Sequence, residues 1–110
     1  MSTTHKFAMY VLDASDPGAF ERRLFHMSTH KENAAALVKR GILTYGGPLL
    51  SSESIVSPTA EKKMVGSLMV YEADSLDAAR KVVESDPFYT NGVWDKEKLL
   101  LFPFVQAGAL

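Results

Sequence analysis

Short apolar runs separated by polar, turn-forming stretches are the main feature of this 110-residue chain. The runs at residues 7–12, 42–45 and 65–71 each have about the length of one β-strand. The first of them is largely apolar, which favours a central strand that is covered on both faces. A fourth and longer strand is predicted at residues 93–105, where Pro103 indicates a sheet edge or a bulge because proline cannot donate a ladder hydrogen bond.

Helical spacing of apolar residues covers residues 19–40, but the sequence predicts a break near Met27. Thr29 and Glu32 have the spacing of a capping box, in which the threonine caps a helix and the glutamate reaches back. A new helical segment would therefore begin there, with His30 at its N-terminus. The positive end of the helix dipole would keep the His30 ring neutral near pH 7.

A second helix is predicted at residues 76–85, with Ser75 as a candidate N-cap. Asp86 directly precedes Pro87 in the sequence. This pair indicates a further short helical turn at residues 87–91, because proline is favoured at the first helical position and aspartate before it.

The elements follow in the order β-α-β-β-α-β, with a polar loop at residues 50–63 between the second and third strands. Two split βαβ units in this order predict an α+β, ferredoxin-like sandwich with both helices on one face of an antiparallel sheet. We expect a single domain over residues 1–110. The uncovered face should pack on the same face of a second copy, which would give a homodimeric α/β barrel. The residues expected to line that face are Tyr10, Leu12, Leu68, Val70, Leu100 and Phe102.

Composition argues against several classes of function. Twelve basic and thirteen acidic residues give a formal net charge of −1, so no strong field attracts nucleic acid. The absence of cysteine excludes disulfides, thiolate nucleophiles and cysteine-based zinc sites. No dinucleotide or phosphate-binding glycine motif occurs, and Pro48 lacks an N–H that a phosphate cradle would need. We therefore expect no cofactor, and the lack of a long apolar run predicts a cytoplasmic protein without a membrane span.

Four stretches of the sequence together resemble the YCII-related proteins, a family in the dimeric α+β barrel superfamily. The resemblance implies an active-site pair formed by His30 and Asp86. It also implies the chemistry of related barrel proteins, which include isomerases and dehydrohalogenases acting on small cyclic or aromatic-derived molecules. Met27 stands where members of the family often carry an arginine. The four stretches are Glu21-Arg22-Arg23-Leu24 with His30 six residues later, residues 41–48, residues 75–79, and Asp86-Pro87-Phe88 with Gly92-Val93.

His30 and Asp86 are the candidate catalytic residues. A neutral imidazole held by a carboxylate can act as a general base towards a proton next to a carbonyl group. The carboxylate would select the ring tautomer and stabilise the charged form of the ring. The alternatives are an exposed histidine at a helix end and an aspartate that only caps its own turn, although one carboxylate can fill both roles.

Six further residues are candidates for binding a substrate. Aromatic side chains could line a pocket for a small planar molecule, although core packing explains most of them equally well. His26 precedes His30 by four residues, so in an unbroken helix the two could share a metal, but no third ligand is evident and no metal site is predicted. Arg22, Arg23 and Arg40 are interpreted as solvated charges, one of which could hold a substrate carboxylate. The candidate substrate-binding residues are Tyr10, His26, Tyr45, Gly47, Phe88 and Trp94.

We therefore expect a cofactor-independent lyase or isomerase that acts on a small cyclic or quinone-like compound through the His30–Asp86 pair. Two alternatives stay open. One is a non-catalytic dimeric module that binds a small molecule, and the other is a cofactorless oxygenase of the same superfamily. Product formation and oxygen uptake distinguish the three.

Overall fold

The computed structural model describes residues 4–110, in which an antiparallel sheet of four strands is covered on one face by helices. The elements are β1 His5–Leu12, α1 Ala19–Lys39, β2 Leu43–Leu50, β3 Met64–Ala73, α2 Leu76–Glu84, α3 Pro87–Thr90 and β4 Leu100–Phe104, with short 3₁₀ turns at Ser52–Ile55 and Lys96–Lys98. The strands lie in the order β2-β3-β1-β4, which confirms the predicted ferredoxin-like α+β arrangement. None of the described helices is both long and apolar enough to cross a membrane.

The two faces of the sheet differ in burial because successive side chains of a strand point to opposite faces. Phe7, Met9 and Val11 of β1 are buried beneath the helices, where they belong to the core. The strand register places all six residues predicted for the other face on that side, which we call the open face. Phe102 is 61% exposed there and Tyr10 is 42% exposed, so nothing in residues 4–110 covers the open face fully.

Helix α1 runs unbroken over 21 residues, so the predicted break near Met27 is wrong. Met27, Ala34 and Leu37 lie on one face at helical spacing and pack in or against the core. This packing stabilises a continuous helix across the residues of the capping-box motif, and the motif does not start a new helix. Thr29 of the motif is exposed. His30 therefore lies in the interior of the helix, so the prediction that placed it at a helix N-terminus is wrong.

Strand β2 continues through Gly46 and Gly47 to its end at Leu50, whereas the sequence predicted a strand that ends before the glycines. A Cβ atom at position 46 would lie 2.7 Å from the backbone oxygen of Leu68 and 2.8 Å from Sδ of Met69. A Cβ atom at position 47 would meet nothing within 4 Å. The glycine at position 46 therefore permits a close approach between β2 and β3 rather than a turn.

The C-terminal part of the chain is not the single long strand that was predicted at residues 93–105. Val93 and Trp94 are buried, and Trp94 forms only an isolated bridge with Asp13 before a 3₁₀ turn interrupts the chain. Among the described strands β4 pairs with β1 alone, which makes it an edge strand. The edge position that Pro103 indicated is thus confirmed.

Candidate functional site

A cleft of about 490 Å³ lies between α1 and the strands β2 and β3. Arg23, Met27 and His30 line it from α1, and Gly46 and Gly47 line it from β2. The spacing of the three α1 residues places them on one face of the helix, so continuity of α1 is what assembles this wall. The volume lies within the usual range for pockets that hold small organic molecules.

His30 and Asp86 meet beside this cleft. The Nδ1 atom of His30 lies 2.7 Å from Oδ1 of Asp86, although the two residues are 56 positions apart in the sequence. Asp86 is fully buried and caps α3, since the same Oδ1 accepts the backbone N–H of Phe88 at 2.8 Å. A ring with its proton on Nδ1 donates to this carboxylate oxygen, and in that tautomer the lone pair of Nε2 is available. Asp86 thus contacts His30 and caps α3 with the same oxygen atom.

Two aromatic side chains fix the orientation of the His30 ring. The ring stacks on Phe88 with centroids 3.9 Å apart and an interplanar angle of 4°. The Trp94 ring makes T-shaped contacts with both rings, and its centroid lies 6.0 Å from that of His30 and 5.9 Å from that of Phe88. Phe88 and Trp94, two of the candidate substrate-binding residues, are buried and support the imidazole from behind. The ring is therefore held from one side by a carboxylate and from another by stacking.

Arg23 is buried in the cleft wall, whereas the sequence was interpreted as giving a solvated charge that could at most hold a substrate carboxylate. Its side chain is 1% exposed and forms an ion pair with Asp13, whose Oδ2 accepts the Nε–H at 2.7 Å. Its Nη2 also donates to the backbone oxygen of Gly66 at 2.7 Å and to Oγ of Ser67 at 2.9 Å. The signal in the sequence was its spacing of seven residues from His30, which in an unbroken helix puts both side chains on one face. Because a helix break was predicted between Arg23 and His30, this spacing did not place the two side chains on one face.

Three buried polar atoms lack a hydrogen-bond partner among residues 4–110. They are the hydroxyl oxygen of Tyr71, Oδ2 of Asp86 and Nδ2 of Asn33. Burial raises the pKa of Tyr71 strongly, and the nearby Asp86 carboxylate raises it further. Tyr71 therefore stays protonated at physiological pH and presents a neutral hydroxyl group to this region.

The other candidate substrate-binding residues are dispersed. Gly47 lines the cleft, whereas Tyr10 and Tyr45 lie on the open face of the sheet. His26 is not part of the cleft wall and meets the edge of the Phe25 ring at 5.0 Å. Within the described range, residues 4–110, no group of three or more His, Cys, Asp or Glu side chains is placed to hold a metal ion.

Comparison with known proteins identifies the family. The family model of the YCII-related domain matches residues 7–108, which confirms the resemblance seen in the sequence. Fusaric acid biosynthesis protein 2 of Gibberella fujikuroi is 30% identical over 88 residues, which are 80% of this chain and 83% of that protein. Aspartate kinase FUB3 of Fusarium oxysporum f. sp. lycopersici is 31% identical over 88 residues, but this chain spans only 16% of the kinase.

A solved structure shares the fold over nearly the whole chain. It is the 5-chloro-2-hydroxyhydroquinone dehydrochlorinase of Burkholderia phenoliruptrix AC1100, in complex with 2,5-dihydroxybenzoquinone. The two chains are 26% identical and superpose with a TM-score of 0.75. The match covers 94% of this chain and 96% of the dehydrochlorinase chain.

Proposed function

This chain belongs to the YCII-related family, and we propose that it is a cofactor-independent enzyme. Its reaction would begin by removing a proton from a small cyclic or quinone-like compound. The reaction class is an elimination or an isomerisation. The observation that carries the proposal is the His30 ring, whose Nδ1 is held at 2.7 Å by buried Asp86 while its Nε2 stays available beside a cleft. The likeness to a dehydrochlorinase supports elimination as the first reaction to test.

In this mechanism Nε2 of His30 accepts a proton from a hydroxyl group or a ring carbon of the substrate. The electron pair left behind forms a carbonyl or carbon–carbon π bond. In an elimination the ring reacts as its keto tautomer, in which the halogen-bearing carbon also carries a hydrogen atom and is sp³ hybridised. As the enol hydroxyl loses its proton and becomes a carbonyl, the π bond of the enol moves to that carbon, and the halide leaves with the electron pair of the carbon–halogen bond. Asp86 stabilises the imidazolium that results, because its buried carboxylate already binds the Nδ1–H. Water then takes the proton from the imidazolium of His30. Loss of hydrogen halide changes no net oxidation state, so the step needs no external oxidant.

The test is turnover of 5-chloro-2-hydroxyhydroquinone under anaerobic conditions. We expect release of one chloride ion per molecule together with the visible absorbance of a quinone product, above the rate of a protein-free control. Chloride release that requires oxygen, with matching oxygen uptake, would instead identify an oxygenase. Binding of the compound without any product would identify the non-catalytic binding module.

We also propose that two copies pack through their open faces to form a dimeric barrel. Leu100 and Phe102 of β4 and Tyr10 of β1 give this face a continuous apolar surface, and they are 49%, 61% and 42% exposed. Monomeric proteins in water rarely leave such a patch uncovered. A second copy covers it with the same residues, because a twofold interface is self-complementary.

Replacing Phe102 by aspartate should convert the dimer into a monomer, since a charge would be buried without a partner at the centre of the interface. Sedimentation equilibrium checks this, with the wild type expected at twice the chain mass of 12.1 kDa. Phe25→Asp is the matched control, because Phe25 is 80% exposed on α1, away from the sheet, and should leave the dimer intact. A wild-type mass of 12.1 kDa would contradict the proposal.

A further inference from the structure

The hydrogen bonds of Arg23 are distributed unevenly over its guanidinium group. The Nε and Nη2 atoms donate to four oxygen acceptors at 2.7–3.2 Å, two of which belong to Asp13. The Nη1 atom, by contrast, has only Sδ of Met64 at 3.7 Å. Thioether sulfur is a weak acceptor, so both N–H groups of Nη1 lack an oxygen partner among residues 4–110.

This shortage of acceptors is unusual for a side chain that is 1% exposed, because nearly all buried N–H groups in proteins are well paired. Arg23 and Met64 line the same cleft as His30. The cleft wall that holds His30, the proposed base, therefore also holds a permanently charged guanidinium group whose Nη1 donors lack an oxygen acceptor.

Phe88 sets the positions of Arg23 and His30 relative to each other. The guanidinium carbon lies 4.7 Å from the centroid of the Phe88 ring, and the imidazole ring lies 3.9 Å from the same centroid. The two residues also share one face of α1, about two helical turns apart. A molecule in the cleft can thus meet a hydrogen-bond donor and a base that are both held rigidly.

We propose that Nη1 of Arg23 binds an oxygen atom on the ring of the substrate while Nε2 of His30 takes the proton. This inference rests on the proposed function and narrows the substrate to planar rings that carry an anionic or carbonyl oxygen. When the proton leaves, negative charge grows on that oxygen, and donors already in place stabilise it without reorganisation. Asp13 balances the charge of Arg23, so the guanidinium can stay buried without the help of a substrate.

The test compares the binding of two probes by calorimetry. The first is 2,5-dihydroxybenzoquinone, which is anionic at neutral pH, and the second is hydroquinone, which is neutral. The variant Asp13→Asn/Arg23→Gln removes both charges of the buried pair together, so neither is left unpaired. It should bind the anionic probe about 10- to 100-fold more weakly than the wild type, the range for a lost hydrogen bond to a charged group, and bind hydroquinone with little change.

Lys31→Gln is the matched control, because Lys31 is an exposed cation that also lines the cleft. It should weaken binding of the anionic probe by less than about threefold, as expected for a solvated charge. Equal affinity of the wild type for both probes, an unchanged affinity in the double variant, or an equal loss in Lys31→Gln would each overturn the assignment.

A second measurement avoids any dependence on the folding of the double variant. Addition of 2,5-dihydroxybenzoquinone to the wild type should shift the guanidinium N–H resonances of Arg23 in ¹⁵N-edited NMR spectra, and unmoved resonances would overturn the assignment. These binding readouts do not require turnover. Selective binding through Arg23 without any product would therefore contradict the proposed function alone, whereas turnover with no role for Arg23 in binding would contradict this inference alone.

Discussion

Replacing His30 by alanine should lower kcat/KM for 5-chloro-2-hydroxyhydroquinone by about 100- to 10,000-fold, which is the usual contribution of a general base. The substitution removes the only imidazole that residues 4–110 contribute to the cleft, and Asp86 cannot replace it because Asp86 is fully buried and its Oδ1 caps α3. Steady-state chloride release by the variant and the wild type at the same pH measures the effect.

Two further variants make that result specific. His30→Gln keeps a hydrogen-bond donor that can face Asp86 but has no basic nitrogen, so its activity should fall as far as that of His30→Ala. His26→Ala removes a histidine one turn away on α1 that does not line the cleft, and it should retain nearly full activity. Substantial activity in His30→Gln, or an equal loss in His26→Ala, would mean that His30 is not the base.

Asp13→Ala should lower the free energy of unfolding by about 3–5 kcal/mol, the usual cost of removing one partner of a buried ion pair. Arg23 would then keep its charge at 1% exposure without the carboxylate that now accepts its Nε–H at 2.7 Å. Denaturant unfolding at one fixed protein concentration measures the change, so that any association between copies contributes equally to both curves.

The matched control is Asp16→Ala, which breaks an aspartate–arginine pair of the same 2.7 Å length at the surface. The hydrogen bond from Arg22 lowers the pKa of Asp16 to about 2, but the Arg22 and Asp16 side chains are 34% and 49% exposed, so water screens their attraction. Its effect on stability should therefore be small. Similar losses for Asp13→Ala and Asp16→Ala would show that burial does not decide the strength of the Asp13–Arg23 pair.

Features that depend on neighbouring residues could be predicted from the sequence. Apolar runs of strand length predicted β1 and β3 closely, because such a run is visible within one segment of the sequence. Ser75 caps α2 and Asp86 caps α3 as predicted, since a cap needs only its own side chain and a backbone N–H two or three residues later. The family resemblance, rather than any local pattern, predicted that His30 and Asp86 form a pair, and the two side chains are in contact.

Only the tertiary structure decided how the cleft is built. A capping-box pattern is a local preference worth little energy, and burial of one face of α1 against the sheet outweighs it, so the helix does not break. That continuity places Arg23 and His30 on one wall, and it could not be deduced from a motif that fits both a helix start and a helix interior. The burial of Arg23 likewise depends on Asp13, Gly66 and Ser67, acceptors brought from β3 and the end of β1. The sequence by itself thus determined the order of the elements and the caps of α2 and α3, whereas long-range packing determined which charges are buried and which histidine lines the cleft.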